Sequence, residues 1–82
     1  MLGSLYIVST PIGNLSDISN RAIDVLNDVD LIAAEDTRVT KKILSLYKIK
    51  NKIIIYNNFN EINKSKKILE LLLEGNKIAL VS

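Results

Sequence analysis

Leu31-Ile32-Ala33-Ala34-Glu35-Asp36-Thr37-Arg38 decides how this chain is built. Four consecutive apolar residues suit a strand buried on both faces, as in a parallel sheet covered by helices. The run stops at two acids, a threonine and an arginine. Asp36 or Thr37 can cap a helix there, and Val39, Ile43, Leu46 and Tyr47 give that helix an apolar stripe.

The same alternation extends outward on both sides. Asp17 is the expected N-cap of a helix reaching about Asn27, with Ile18, Ala22, Val25, Leu26 and Val29 at helical spacing. Before it, Leu5-Tyr6-Ile7-Val8-Ser9 reads as a strand, ended by Thr10-Pro11-Ile12-Gly13-Asn14, where Pro and Gly cannot continue a central strand. Beyond Arg38, Ile53-Ile54-Ile55-Tyr56 is β-branched and aromatic, hence a strand, and Asn57-Asn58-Phe59-Asn60 is its loop. A third helix runs from about Glu61 to Glu74, closed by Gly75-Asn76 as a left-handed cap, and Lys77 to Val81 forms a fourth strand. This order predicts an α/β fold: a parallel sheet of about four strands with flanking helices and right-handed crossovers.

Eighty-two residues hold one core, with an expected radius of gyration of about 12 Å. Cysteine and histidine are both absent, which excludes a disulfide framework, a Cys/His zinc site, a cysteine nucleophile and a Ser-His-Asp triad. Chemistry is left to carboxylates, Arg, Lys, Ser, Thr, Tyr and backbone amides. No metal is expected. No apolar run approaches the roughly 18 residues of a membrane span and Met1 to Leu5 lack a basic leader region, so no membrane partner and a cytoplasmic location are expected. Charge is unevenly spread: residues 1–40 carry net −4, whereas residues 41–82 carry net +6 through nine lysines against Glu61, Glu70 and Glu74. That basic half reads either as a phosphate attractor or as a solvated face.

Ligands of open α/β sheets bind beyond the carboxyl ends of the strands, near helix N-termini. The unusual polar residues fall in those loops. The first offers Ser9, Thr10, Pro11, Gly13 and Asn14, the second Glu35 to Arg38, the third Asn57 to Asn60, and a fourth begins at Ser82. Neither a G-x-G-x-x-G nor a G-x-x-x-x-G-K-[ST] motif is present, so the dinucleotide and P-loop readings fall away. In the second loop Glu35 or Asp36 can act as a base or bind a hydroxyl, and Arg38 can fork onto a phosphate; alternatively Asp36 caps the helix and Arg38 pairs with an acid. Asn60 and its neighbours can bind polar ligand groups or form a turn or cap. Tyr56 and Phe59 can stack on a base or sit at the core's rim.

Leu5 to Leu15, Asp17-Ile18, Arg21-Ala22 and Ile32-Ala33-Ala34-Glu35-Asp36-Thr37-Arg38 closely resemble the tetrapyrrole methylase (class III) family of S-adenosylmethionine-dependent methyltransferases. Within it they resemble the N-terminal domain of the branch acting on small-subunit ribosomal RNA. Gly75 and Ile78 to Ser82 also resemble the family segment leading into a Ser-Asp-Ala-Gly-Thr-Pro loop. The resemblance implies a two-domain, generally dimeric enzyme that methylates the ribose 2′-oxygen of a cytidine, with S-adenosyl-L-methionine as cofactor. On that view residues 1–82 are the N-terminal domain, without the C-terminal one, and are by themselves inactive. Thr10 and Ser82 would lie on the cofactor side, while Pro11, Gly13, Asn14, Thr37, Arg38 and Asn60 would meet the substrate. Glu35 and Asp36 are the local candidates for the base. Family members commonly carry a histidine where this chain has Tyr56 to Glu61, so no imidazole role transfers. The competing readings are a stand-alone RNA- or nucleotide-binding module and a small dimerisation domain.

Overall fold

The computed structural model describes residues 2–11, 13–56 and 61–81, the side chains of 61–64 aside. The apolar runs form strands β1 (Ser4–Val8), β2 (Leu31–Ala34), β3 (Ile53–Ile55) and β4 (Lys77–Val81). Between them lie helices α1 (Asn20–Asp28), α2 (Thr37–Leu46) and α3 (Glu61–Leu73). All strand pairs are parallel, in the spatial order β1-β4-β2-β3. The Cα radius of gyration is 12.3 Å.

That order makes the chain reverse direction. From β1 to β2 and on to β3 it moves one way across the sheet, and from β3 it returns to β4. With crossovers of one hand, reversal must put α3 on the face opposite α1 and α2. The packing agrees. Val8, Ile32, Ala34, Ala79 and Val81 meet Leu26 and Val29 and, from α2, Ile43 and Leu44. Ala33 and Ile78 point the other way, to Ile68, with Leu31, Ile54, Leu72 and Leu80 around them. The central strands β2 and β4 are therefore apolar at nearly every position, because both of their faces are covered. Fully burying a side chain such as Ile32 or Ile78 contributes about 1.5–3 kcal/mol. β1 is at an edge, where Leu5 and Ile7 remain 44% and 66% exposed.

Two local expectations are corrected. Asp17 does not cap α1; it ends a short 3-10 turn, Leu15–Asp17, whose cap is Asn14. Ile18 is extended and buried, which interrupts the helical path, so α1 starts later and its cap is Ser19, accepting from the Ala22 N–H at 3.1 Å. In α2 the buried stripe is Thr40, Ile43 and Leu44, while Leu46 is 56% exposed. Thr40 tolerates burial because its hydroxyl donates to the Asp36 carbonyl at 3.2 Å.

Helices α2 and α3 end alike. Gly75 (φ 94°) donates to Leu72 O and Asn76 N–H reaches back to Leu71 O. After α2, Lys48 (φ 55°) donates to Ser45 O and Ile49 N–H to Leu44 O. Both are left-handed caps that use up terminal carbonyls. The first matches the expected Gly75-Asn76 closure; the second carries a lysine where glycine is preferred.

Candidate functional site at the strand tips

The last residues of all four strands share one row of the sheet: Val8 opposite Val81, Val81 opposite Ala34, and Ala34 opposite Ile55. Every strand therefore discharges its chain at the same edge. Neighbouring strands lie about 4.8 Å apart, which puts the exits of β1 and β2 about 10 Å from each other across β4. The loops at 9–14 and 35–38 thus share one end of the molecule. At the other end of α2 the Tyr47 hydroxyl donates to Leu15 O at 3.3 Å, tying that helix to the turn that follows the first loop. Nothing in the periodicity distinguishes that tie from ordinary core packing, so it escapes a reading of sequence alone.

Between β2 and β3 the exits diverge, since β2 leads to α2 on one face and β3 to α3 on the other. Such a switch point opens a crevice at the carboxyl ends of the strands. Glu35 to Arg38 stand on one side of it and Tyr56 on the other.

Within the second loop the two acids differ. Asp36 Oδ1 accepts the Arg38 backbone N–H at 3.0 Å and Arg38 Nε–H at 3.5 Å. That backbone bond is the main cause of a pKa below the ordinary carboxylate value; desolvation opposes it, and the Val39 N–H and the Arg38 charge assist. Asp36 is thereby the α2 cap and a weak base. Glu35 is exposed and, among the described residues, has no hydrogen-bond or ion-pair partner. The Arg38 side chain is 89% exposed. Thr37 is half-buried at the first position of α2.

In the first loop Thr10 and Pro11 are half-buried, and Gly13 and Asn14 are exposed. Gly13 adopts φ 91°, the left-handed region that favours glycine. The Asn14 carboxamide oxygen is already engaged, accepting from Ser16 N–H at 3.0 Å and from the Ser16 hydroxyl at 2.7 Å. Tyr56 packs at the rim of the α3-side core, its hydroxyl 3.5 Å from that of Ser65. Asn60, Phe59 and Ser82 lie outside the described residues. Two open grooves of ≈ 400 and ≈ 390 Å³ run along the free side of β1, over Tyr6 and Val25. The first reaches the strand-tip end at Val8, Ser9, Ser19 and Arg21, and the second runs away from it along Asp24 to Val29; the candidate site is the tips themselves, where the polar loops converge. Among the described residues no cluster of three or more acidic side chains could hold a metal ion, and no helix is long and apolar enough to cross a membrane.

These features define a parallel α/β domain whose polar loops gather at the strand tips. It belongs to the Tetrapyrrole (Corrin/Porphyrin) Methylases family, whose profile matches residues 4–82. Ribosomal RNA small subunit methyltransferase I of Buchnera aphidicola subsp. Acyrthosiphon pisum is 54% identical over 81 residues, covering 99% of this chain and 29% of that protein. The protein of the same name in Bacillus subtilis is 52% identical over 81 residues, 99% of this chain and 28% of its own length. Its counterpart in Thermotoga maritima is 52% identical over the same number of residues, 99% of this chain and 36% of its length. The chain therefore spans about a third or less of these relatives.

Methyltransferases of this family imply a methyl donor of the S-adenosylmethionine type. Its cationic sulfonium and ammonium groups suit a strand-tip end that carries the carboxylates of Glu35 and Asp36. The described tips fit one wall of such a site.

Proposed function

We propose that this chain provides the strand-tip wall of an S-adenosylmethionine-dependent methyltransferase that modifies the ribose 2′-oxygen of a cytidine in small-subunit ribosomal RNA. The observation that carries the reading is the single row of strand ends, which brings Glu35 and Arg38 together with the first loop. The names of the relatives support the class of substrate. A second domain, for which the length of those relatives leaves room, would supply the facing wall.

When bound, the donor supplies a methyl group already activated on a sulfonium. The protein's share is then positioning and proton management. In the transfer the 2′-oxygen gains a bond to the methyl carbon, the S–CH3 bond breaks, its electron pair returns to sulfur, and the hydroxyl proton must leave. Glu35 is the base we assign: it is exposed and uncommitted. Asp36, depressed in pKa and tied to Arg38, orients the guanidinium instead. Arg38 holds an RNA phosphate through the nitrogens that Asp36 leaves unoccupied. We assign Pro11, Gly13, Asn14 and Asn60 to the substrate side, and Thr10 and Ser82 to the donor.

Methyl transfer from labelled S-adenosylmethionine to small ribosomal subunits tests these roles in the intact protein. Glu35→Gln should lower kcat about 10²-fold or more with little change in the KM for RNA. Arg38→Ala should raise the KM for RNA more than that for the donor. Full activity in Glu35→Gln would remove the base, and a methylated base rather than 2′-O-methylcytidine in the digested product would overturn the ribose reading.

A further inference from the structure

Resting on that reading, we propose that the solvent face of α2, continued by Lys48, is a track for the phosphate backbone of the RNA as it leaves the strand-tip site. Arg38, Lys41, Lys42 and Ser45 are all exposed and are neighbours at three- and four-residue spacing, while Thr40, Ile43 and Leu44 turn to the core. No acidic residue interrupts α2. Among the described residues Lys41, Lys42 and Lys48 have no ion-pair partner, whereas Lys77 pairs with Asp28 at 3.6 Å. The neighbouring helix α1, on the same face of the sheet, exposes Asp24 and Asp28 against the single cation Arg21 and offers the same polyanion no basic face. Position therefore selects α2.

Lys48 adds an independent observation. It occupies the left-handed cap position at φ 55°, where any side chain is disfavoured relative to glycine. A cation held in a costly conformation at the end of a basic face points to use of its charge. The ten residues of α2 span about 15 Å, room for about four phosphates of a stacked strand at roughly 3.4 Å each. Arg38 begins the track beside Glu35, and Lys48 ends it.

The test is binding of labelled, transcribed small-subunit ribosomal RNA by the intact protein across a salt series. Combining Lys41→Gln, Lys42→Gln and Lys48→Gly should weaken binding roughly 10- to 100-fold at about 0.1 M salt and flatten the log–log salt slope by about 2. Lys66→Gln with Lys67→Gln, an exposed pair on α3 across the sheet, should leave both unchanged. Lys48→Gly alone separates this from an ordinary solvated lysine: the protein should become more stable and yet bind RNA less well. Unchanged slope in the α2 variants, or an equal loss in the α3 pair, overturns the track. If RNA is nevertheless bound and methylated by the unsubstituted protein, only the track has failed. If the unsubstituted protein binds no RNA, the reading beneath it fails too.

Discussion

The two ends of the sheet are built differently. Where the strands start, polar side chains are committed to the backbone. Asn51 donates to Leu26 O at 3.0 Å and Val29 O at 2.9 Å, closing the end of α1. Asp30 accepts the Lys77 N–H at 2.7 Å, Asn76 donates to Leu71 O at 3.0 Å, and Gly3 N–H reaches Leu72 O at 2.7 Å. Where the strands finish, Glu35 has no partner among the described residues and Arg38 is extended into solvent with one weak ion pair. One end holds the fold together; the other, beyond the caps made by Asn14 and Asp36, presents Glu35 and Arg38 to solvent. Substitutions at the first should change stability and spare the proposed methyl transfer, and those at Glu35 and Arg38 should do the reverse.

The largest expected effect is at the strand starts. A β-carbon on Gly3 would collide with the Asn76 carbonyl, which is backbone and cannot swing aside. Gly3→Ala should therefore lower unfolding stability by about 2–3 kcal/mol, measured by urea denaturation. A loss below about 0.5 kcal/mol would mean that this end is loosely joined and the comparison is wrong. Next comes Asn51→Ala, which leaves the Leu26 and Val29 carbonyls without their donor; about 1–2 kcal/mol should be lost. In both variants the RNA salt slope should stay as in the unsubstituted protein.

This division explains what could be read from the residues directly. The alternation of apolar runs and helical stripes reached the parallel sheet, because β2 and β4 must be apolar on both faces wherever the chain puts its helices. Once the strands are parallel, their exits must share an edge, so the loops after β1 and β2 were bound to lie at one end of the sheet. The cap of α1 was not visible in that way: Asp17 and Ser19 are both good caps, and what chooses between them is Ile18 turning into the core. The clasp made by Asn51 was equally hidden, since a lone Asn before a strand looks like any turn residue until α1 is beside it. At the site, the two adjacent acids look alike in sequence. They part only when Arg38 N–H selects Asp36 and leaves Glu35 aside.

Lys48 sharpens the comparison, being a residue whose removal should strengthen the fold. Glycine in its left-handed position relieves the contact between β-carbon and backbone, so Lys48→Gly should raise stability by about 1 kcal/mol. Gly75→Ala, at the equivalent cap of α3, should cost about the same amount. Opposite signs in urea denaturation would confirm that the two helices end by the same device. The same sign in both would mean that the lysine is held by something stronger than a cap.

The smallest effect is the one that reaches across the division, because Asp36 is the strand-tip acid with a structural duty. Its folded pKa lies below that of the unfolded chain, chiefly through the Arg38 backbone N–H. A group so shifted stabilises the fold at every pH above its unfolded pKa of about 4. The contribution fades as pH falls from there through the lower folded value, when the carboxyl takes up a proton and its hold on the helix start weakens. Asparagine caps as well as aspartate and does not titrate. The stability advantage of the unsubstituted protein over Asp36→Asn should therefore be constant from neutral pH down to about 5 and shrink below about 4, all other carboxyls being common to both. A difference that stays flat to pH 2 would mean that charge adds nothing to this cap and that the hydrogen bond to the Arg38 N–H alone holds the helix start.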